Sequence, residues 1–178
     1  MSRHADPNLA VRRFEAADAV PLTELLHEAY AELGARGLNF TAVDQSAQTT
    51  LARSLAGQCW VVVRREEIVG SLTMSLPPSR GLQELTPAAR EDGRAWLNQV
   101  AVSPRLRGRG IAADLWRRGR RWAAAQGATS VGVDTAAPAV HLVQLYTAWG
   151  FAQVDTIRWP DKVYDSVVMT RLLSADDA

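Results

Sequence analysis

The sequence is poor in the residues that build covalent or metal-dependent frameworks. Cys59 is the only cysteine among 178 residues, so no disulfide can form within the chain, and a reducing cytoplasm is the expected compartment. The three histidines (His4, His27 and His141) are scattered and have no cysteine at ligand spacing. These absences exclude a disulfide framework and a cysteine–histidine zinc site, and we expect no metal.

Long apolar runs are also absent. No run approaches the roughly 20 residues that span a bilayer, and residues 1–7 lack the apolar stretch of a signal peptide, so we expect no membrane partner. With 47% hydrophobic and 22% charged residues, the composition excludes wholesale disorder. The length predicts a single domain over residues 1–178, with its core in residues 8–173 and flexible ends, the tail Ser174–Ala178 included.

Net charge is small, at +1, but its distribution is uneven. Between Ser103 and Trp122, seven arginines face one aspartate, so this segment carries +6 and the rest of the chain −5. A nucleic-acid binder that uses Arg117–Arg121 is therefore one alternative. Against it, the predicted helix has its own apolar stripe and the chain has no motif that reads bases, so we expect no nucleic-acid partner.

The apolar pattern predicts an α/β (α+β) domain with a mixed sheet of about six to seven strands and about four helices. The predicted strands cover residues 9–14, 59–64, 68–76, 95–102, 130–134, 151–158 and 163–172. The predicted helices cover residues 18–34, 41–56, 111–127 and 139–149, the first with Asp18 as its N-cap. Residues 77–93 are predicted to form a loop with a short turn at 87–91.

One turn between a predicted strand and a predicted helix suits an anion. It reads Arg107-Gly108-Arg109-Gly110-Ile111-Ala112. Glycines let the backbone approach a ligand closely, and the free N–H groups of the first helical turn favour a phosphate. The turn lacks the Lys-Ser/Thr ending of a P-loop, and the chain has no early dinucleotide-binding glycine triplet, which disfavours ATP and NAD. An ordinary glycine-rich connection is the alternative.

Three features in order resemble the GNAT superfamily of acetyl-CoA-dependent N-acetyltransferases. Residues 107–112 fit its Arg-x-x-Gly-x-Gly/Ala signature, and residues 100–104 resemble its fourth strand and the exit from it. Tyr146, Gly150 and Phe151 fit its Tyr-x-x-x-Gly-Phe segment. The resemblance is sharp over residues 95–151 and extends in element order over residues 9–172.

The resemblance implies that the fourth and fifth strands splay apart and hold acetyl-CoA in the wedge between them. It implies a bulge near Asn98–Val100, and it implies that the main chain of residues 100–102 pairs with the pantetheine arm. The amides of the glycine-rich turn would then hold the pyrophosphate. The implied coenzyme-binding residues are Val100, Ala101, Val102, Arg107, Gly108, Arg109, Gly110, Ile111, Ala112 and Ala113.

The implied reaction is direct attack of a primary amine on the thioester. The N–H of Val100 would stabilise the oxyanion, and Tyr146 would protonate the departing thiolate, because a phenol with a pKa of about 10 stays protonated at neutral pH. The fourth strand lacks the carboxylate that many members use as a base. The candidate bases are Glu84, Glu91 and Asp92, which would reach the amine either directly or through a water molecule. Ala139 stands where the family commonly has an asparagine.

The acceptor is a small-molecule or protein amine that the sequence does not identify. Candidate acceptor-pocket residues lie in the first helix, the segment after it and the loop before the fourth strand: Glu28, Tyr30, Glu32, Asn39, Phe40 and Glu84. A non-catalytic acyl-CoA-binding module is the main alternative function, because of the missing carboxylate. Trp159 is a candidate contact in a homodimer.

Overall fold

The computed structural model describes residues 8–177, so the expectations for residues 1–7 and for Ala178 lie outside the described part of the chain. Seven strands form one sheet: β1 (Leu9–Arg13), β2 (Gln58–Arg64), β3 (Glu67–Ser75), β4 (Arg94–Val102), β5 (Ser130–Ala136), β6 (Ala152–Ile157) and β7 (Ser166–Leu172). Their order across the sheet is β1-β2-β3-β4-β5-β7-β6. Of these pairs only β4 and β5 run parallel, so the predicted mixed sheet is confirmed.

Six α-helices occur in residues 8–177: α1 (Ala19–Ala35), α2 (Thr41–Asp44), α3 (Ala47–Leu55), α4 (Arg80–Leu85), α5 (Ile111–Ala125) and α6 (Val140–Ala148). Short 3₁₀ turns cover Ala16–Asp18, Pro87–Arg90, Pro104–Leu106 and Ala175–Asp177. None of these helices is long and apolar enough to cross a membrane.

The prediction of a single helix over residues 41–56 is wrong, because two helices cover this segment. Gln45 is extended, with ψ at 146°, and Ser46 begins α3 by accepting the N–H of Thr49 at 3.1 Å. The loop predicted over residues 77–93 likewise contains α4, which Ser79 caps through the N–H of Leu82. In both places a serine that can satisfy a free N–H decides where the helix begins.

Asp18 does not cap α1 through its side chain. Its carboxylate instead accepts the N–H of Glu15 at 2.8 Å and two hydrogen bonds from the guanidinium of Arg12 at 2.6 and 2.7 Å. These bonds hold the pKa of Asp18 below its ordinary value, the contact with Arg12 contributing most. The residue therefore ties β1 to the 3₁₀ turn before α1.

Helices cover both faces of the sheet. Apolar residues of α5, such as Leu115 and Ala123, pack with Leu72 and Leu97 on one face. Leucines of α1, such as Leu22 and Leu26, pack on the other face, so alternate residues of β2 face opposite layers. This arrangement buries the middle of the sheet and leaves the carboxyl-terminal half of β4 beside both α1 and α5.

The parallel strands β4 and β5 separate after three paired positions, the last of which joins Trp96 to Gly132. The absence of a side chain on Gly132 lets the indole of Trp96 lie across β5, because a Cβ there would be 2.2 Å from Cζ3 of the ring. Beyond this pair both strands continue, to Val102 and Ala136, without pairing with each other. The predicted splay is therefore confirmed.

The expected bulge in β4 is also confirmed. The register between β3 and β4 shifts where Leu72 faces both Gln99 and Val100. Gln99 has a φ of 51°, and its buried side chain donates to the hydroxyls of Ser54 and Thr73, both at 3.1 Å. These hydrogen bonds hold the bulge in place where β4 leaves β5.

The tail that was predicted to be flexible contains a 3₁₀ turn over Ala175–Asp177. Asp177 is 1% exposed and contacts Arg120 at 2.7 Å and Arg171 at 3.2 Å. It also accepts the N–H of Ser174 at 2.8 Å. Burial alone would raise the pKa of Asp177, but the Ser174 N–H and the two guanidinium groups outweigh it and lower the pKa.

Replacing Asp177 by asparagine should lower the free energy of unfolding by about 1–3 kcal/mol at pH 7, because two partly buried arginines lose their carboxylate. Urea denaturation measures the loss. Since the pKa of Asp177 is depressed in the folded state, the difference should persist above about pH 4 and shrink as the pH falls through the folded-state pKa. Asp176→Asn, an exposed neighbour, is the control; an equal effect of both changes would contradict the assignment.

Candidate active site

Two cavities open on the two sides of the point where β4 leaves β5. The larger has a volume of about 480 Å³ and the smaller about 230 Å³. Tyr30 and Val100 line both of them, and the hydroxyl of Tyr30 donates to the carbonyl of Val100 at 2.9 Å. The bulged strand thus forms a shared wall between the cavities.

The smaller cavity is bounded by α1, the end of β4, the glycine-rich turn, the start of α5 and α6. Nine of the ten residues predicted to bind coenzyme lie in its wall, and Arg109 is in the turn but outside the wall. The nine are Val100, Ala101, Val102, Arg107, Gly108, Gly110, Ile111, Ala112 and Ala113. Three residues of α6, His141, Leu142 and Leu145, complete this side and were not predicted.

The glycine-rich turn has a backbone that other residues rarely adopt. Gly108 has a φ of 76°, and Gly110, the residue before α5, has a φ of 85°. A Cβ at Gly108 would meet nothing within 4 Å, so the main chain there borders open space. Together with the amide groups of the first turn of α5, this is a surface that suits a phosphate.

Two arginines at or just before this turn, Arg105 and Arg107, contact α1. Arg107 donates to the carbonyl of Ala29 at 2.8 Å and lies 3.9 Å from Glu32. Arg105 lies 3.7 Å from Glu28. The two glutamates considered for the acceptor pocket therefore lie beside the arginines of the coenzyme side and do not line the larger cavity.

The larger cavity has an aromatic wall. The ring centroids of Tyr30 and Phe40 are 5.3 Å apart, as are those of Phe40 and Tyr164. Asn39 lies behind this wall, where it donates to the carbonyl of Asp161 at 2.8 Å and accepts the N–H of Val163 at 3.1 Å. The candidates Tyr30 and Phe40 thus line the cavity, and Asn39 supports the segment that closes it.

Tyr146 lies at the last turn of α6 and lines the larger cavity. The helix ends at Ala148, and the φ of 89° at the following Gly150 lets the N–H of Phe151 bond to the carbonyl of Tyr146 at 3.0 Å. The rings of Tyr146 and Phe151 are 6.0 Å apart. The Tyr-x-x-x-Gly-Phe segment is therefore a helix end that fixes the position of Tyr146.

Burial raises the pKa of Tyr146 well above its ordinary value, and the nearby Tyr30 and Asp134 raise it further. The phenol is consequently protonated at neutral pH and able to donate. Ala139, which stands in the place of the family's asparagine, is buried at the residue before α6.

Asp134 is a carboxylate that the sequence reasoning missed. It lies near the end of β5, past the last pair with β4, and lines the larger cavity. One oxygen accepts the indole N–H of Trp96 at 3.0 Å and the other that of Trp159 at 2.9 Å. A carboxylate accepts about four hydrogen bonds, so capacity remains towards the cavity.

The bases considered from sequence lie elsewhere. Glu84 on α4, Glu91 and Asp92 line neither cavity, and Glu91 pairs with the buried Arg94. A signal for Asp134 existed, since an acid at the carboxyl end of a strand beside a splayed parallel neighbour faces the opening between them. In residues 8–177 no group of three or more His, Cys, Asp or Glu side chains is placed to hold a metal ion.

Comparison with known proteins agrees with the sequence resemblance. A sequence model described as "Acetyltransferase (GNAT) family" matches residues 21–151. Among the curated proteins none matches.

Solved structures share the fold at low identity. The ribosomal-protein-S18-alanine N-acetyltransferase of Escherichia coli has a TM-score of 0.69 at 14% identity, covering 93% of this chain and 94% of its own. An acetyltransferase of Streptococcus agalactiae 2603 has 0.71 at 19% identity, covering 94% and 99%. Ard1 of Thermoplasma volcanium has 0.71 at 16% identity, also covering 94% and 99%. The family match, which spans most of the chain, shows that this protein belongs to the GNAT acetyltransferase family.

Proposed function

We propose that this acyltransferase moves the acetyl group of acetyl-CoA to a primary amine that enters the larger cavity. The observation that carries the proposal is the shared wall: Tyr30 and Val100 border both cavities, and Asp134 and Tyr146 line the larger one. A donor on one side of this wall and an acceptor on the other would meet beside the two groups able to move protons.

The coenzyme fits the smaller cavity on chemical grounds. The glycine-rich turn and the start of α5 supply amide groups for the pyrophosphate, and Arg107 supplies a positive charge nearby. The main chain of β4 from Val100 to Val102 is available along the wall for the pantetheine arm, since β4 no longer pairs with β5 there. Arg109 adds charge to the same turn.

Asp134 is the best-placed proton acceptor. Acetyl-CoA supplies a thioester whose carbonyl carbon forms the new C–N bond while the C–S bond breaks. The substrate ammonium must lose one proton to become the attacking amine and a second proton after attack. A carboxylate fixed by two indole N–H groups can receive one proton and pass it to solvent before it receives the next. Val100 lies at the bulge in the shared wall, and its N–H is the group that we propose stabilises negative charge on the carbonyl oxygen.

Tyr146 completes the transfer as the proton donor. Its raised pKa keeps the phenol protonated, so it can deliver a proton to the thiolate of coenzyme A. Its position follows from the end of α6, which is fixed by the Phe151 N–H.

Two earlier alternatives lose support. A non-catalytic acyl-CoA-binding module was favoured by the missing carboxylate on β4, and Asp134 on β5 offers one. Nucleic-acid binding through α5 is weakened because Arg120 pairs with Asp177, and Arg117 pairs with Asp114. A cytoplasmic location, a homodimer and the absence of a metal stay predictions.

A panel of primary amines, followed by thiol release from acetyl-CoA, tests the function. With the best amine, Asp134→Asn should lower kcat/KM by about 10²- to 10⁴-fold, because the amine loses its proton acceptor. The amide keeps the size of the side chain and can accept one of the two indole N–H groups. Asp165→Asn, an exposed acid paired with Arg158 outside both cavities, is the matched control. Equal activity of the two variants would show that Asp134 takes no part in the reaction. If none of the amines tested gives thiol release, a binding module is favoured.

Tyr146→Phe should lower kcat by about 10²-fold or more and leave the affinity for acetyl-CoA unchanged, because only the transferable proton is lost. Since burial raises the pKa of Tyr146, the wild-type enzyme should also keep its kcat up to about pH 10. Stopped-flow thiol release and calorimetric titration give the two quantities. A variant with full turnover would exclude the assignment.

Gly108→Ala should weaken acetyl-CoA binding by about tenfold, because the new Cβ enters the space beside the turn. Gly127→Ala is matched to it, since Gly127 also has a positive φ, lies at the other end of α5 and has open space around it. Both changes should cost a similar 1–2 kcal/mol or so of stability. Unfolding and calorimetry separate the two effects; equal losses of affinity would show that the turn does not contact the coenzyme.

A further inference from the structure

Arg53 is a cation in the wall of the larger cavity that the proposed reaction does not use. It lies on α3 and lines the larger cavity, not the smaller one. No carboxylate of residues 8–177 lies within salt-bridge distance of its guanidinium. Burial lowers the pKa of Arg53, and the nearby Tyr30 and Asp134 oppose this shift without cancelling it.

The guanidinium is held in position by buried amides. Its Nη1 donates to Oε1 of Gln45 at 2.6 Å. Gln45 in turn donates to the hydroxyl of Thr50 at 2.7 Å and to Oε1 of Gln99 at 3.2 Å. Because Gln99 is the residue at the β4 bulge, the position of Arg53 is coupled to the wall that separates the cavities. One bond from Gln45 leaves most of its five N–H donors for another partner.

The other charges of this cavity already have partners. Lys162, the only lysine of the chain, has a side chain 11% exposed and pairs with Asp161 at 2.9 Å. Asp134 accepts two neutral indole N–H groups and is assigned to the amine. Among the described residues that line this cavity, Arg53 is therefore the cation that has no carboxylate at contact distance.

We propose that the acceptor is a small amine that also carries a carboxylate, and that Arg53 binds this carboxylate. The inference rests on the proposed function and names its substrate class. A guanidinium presents paired N–H donors that match the two oxygens of a carboxylate. A cavity of about 480 Å³ admits a small molecule, and the wall of Tyr30, Phe40 and Tyr164 accommodates an apolar part of it.

Matched acids and amides test the proposal. The twenty proteinogenic L-amino acids, β-alanine and 4-aminobutyrate are compared with their primary amides, which keep the amine and lose the negative charge. Thiol release from saturating acetyl-CoA gives kcat/KM for each. For the best pair, the acid should be preferred by about 10- to 100-fold, the effect of one charge-assisted contact.

Variants assign the preference to one residue. Arg53→Gln should remove the preference for the acid chiefly through KM, so that the acid and its amide give similar kcat/KM values. Arg53→Lys, which keeps the charge but not the paired donors, should retain part of it. Lys162→Gln should leave the preference in place. A preference that survives Arg53→Gln, or that Lys162→Gln abolishes instead, overturns the proposal.

The outcomes separate this proposal from the proposed function. Amides or simple alkylamines acetylated as well as the acids would overturn the carboxylate contact while leaving acetyl transfer intact. If no acid of the panel is acetylated, calorimetry with the same acids in the presence of coenzyme A decides, because Arg53-dependent binding is still expected. Absence of both turnover and binding overturns the proposal. Absence of acetyl-CoA binding overturns the function itself.

Discussion

Separation of the two parallel strands is the constraint on which the rest of the site depends. β4 and β5 pair over three positions, and then the bulge at Gln99 turns β4 away. The separation frees main chain on β4, opens a cavity on each side of Val100, and exposes Asp134 near the end of β5. Buried hydrogen bonds from Gln99 to α3 and β3 compensate for the lost strand pairing. If β4 and β5 were paired along their whole length, the same residues would be covered.

The arginines of the chain have different kinds of partner in the folded protein. The basic segment begins at the glycine-rich turn, where Arg107 lies beside the smaller cavity, and continues along α5, where Arg120 holds the carboxyl-terminal turn through Asp177. Most of these arginines therefore meet acids of this same chain. The larger cavity differs, since among residues 8–177 Arg53 has the amide oxygen of Gln45 and no carboxylate as its close partner. The arginines thus divide into those that form ion pairs within the chain and those for which we propose contacts with the coenzyme or the acceptor.

Much of the fold, and the segments that border the smaller cavity, could be predicted from local sequence pattern. Strand alternation, glycine at the ends of α5 and α6, and the spacing from Tyr146 to Phe151 are properties of neighbouring residues, which a sequence displays directly. Asp134 and Arg53 were missed because the roles proposed for them depend on tertiary contacts: two tryptophans distant in sequence hold Asp134, and Gln45 beside the bulge holds Arg53. The break at Gln45 is different, because Ser46, which begins α3, is a capping residue that the sequence displays.

We propose that coenzyme A binds between the separated strands and the glycine-rich turn. Backbone ¹H–¹⁵N NMR spectra recorded during titration with coenzyme A test this binding site directly. We expect saturable shifts that are largest over residues 100–113 and the start of α6, with smaller effects along Arg117–Arg121. Saturable shifts confined to Arg117–Arg121, or no saturable shift at all, would contradict it.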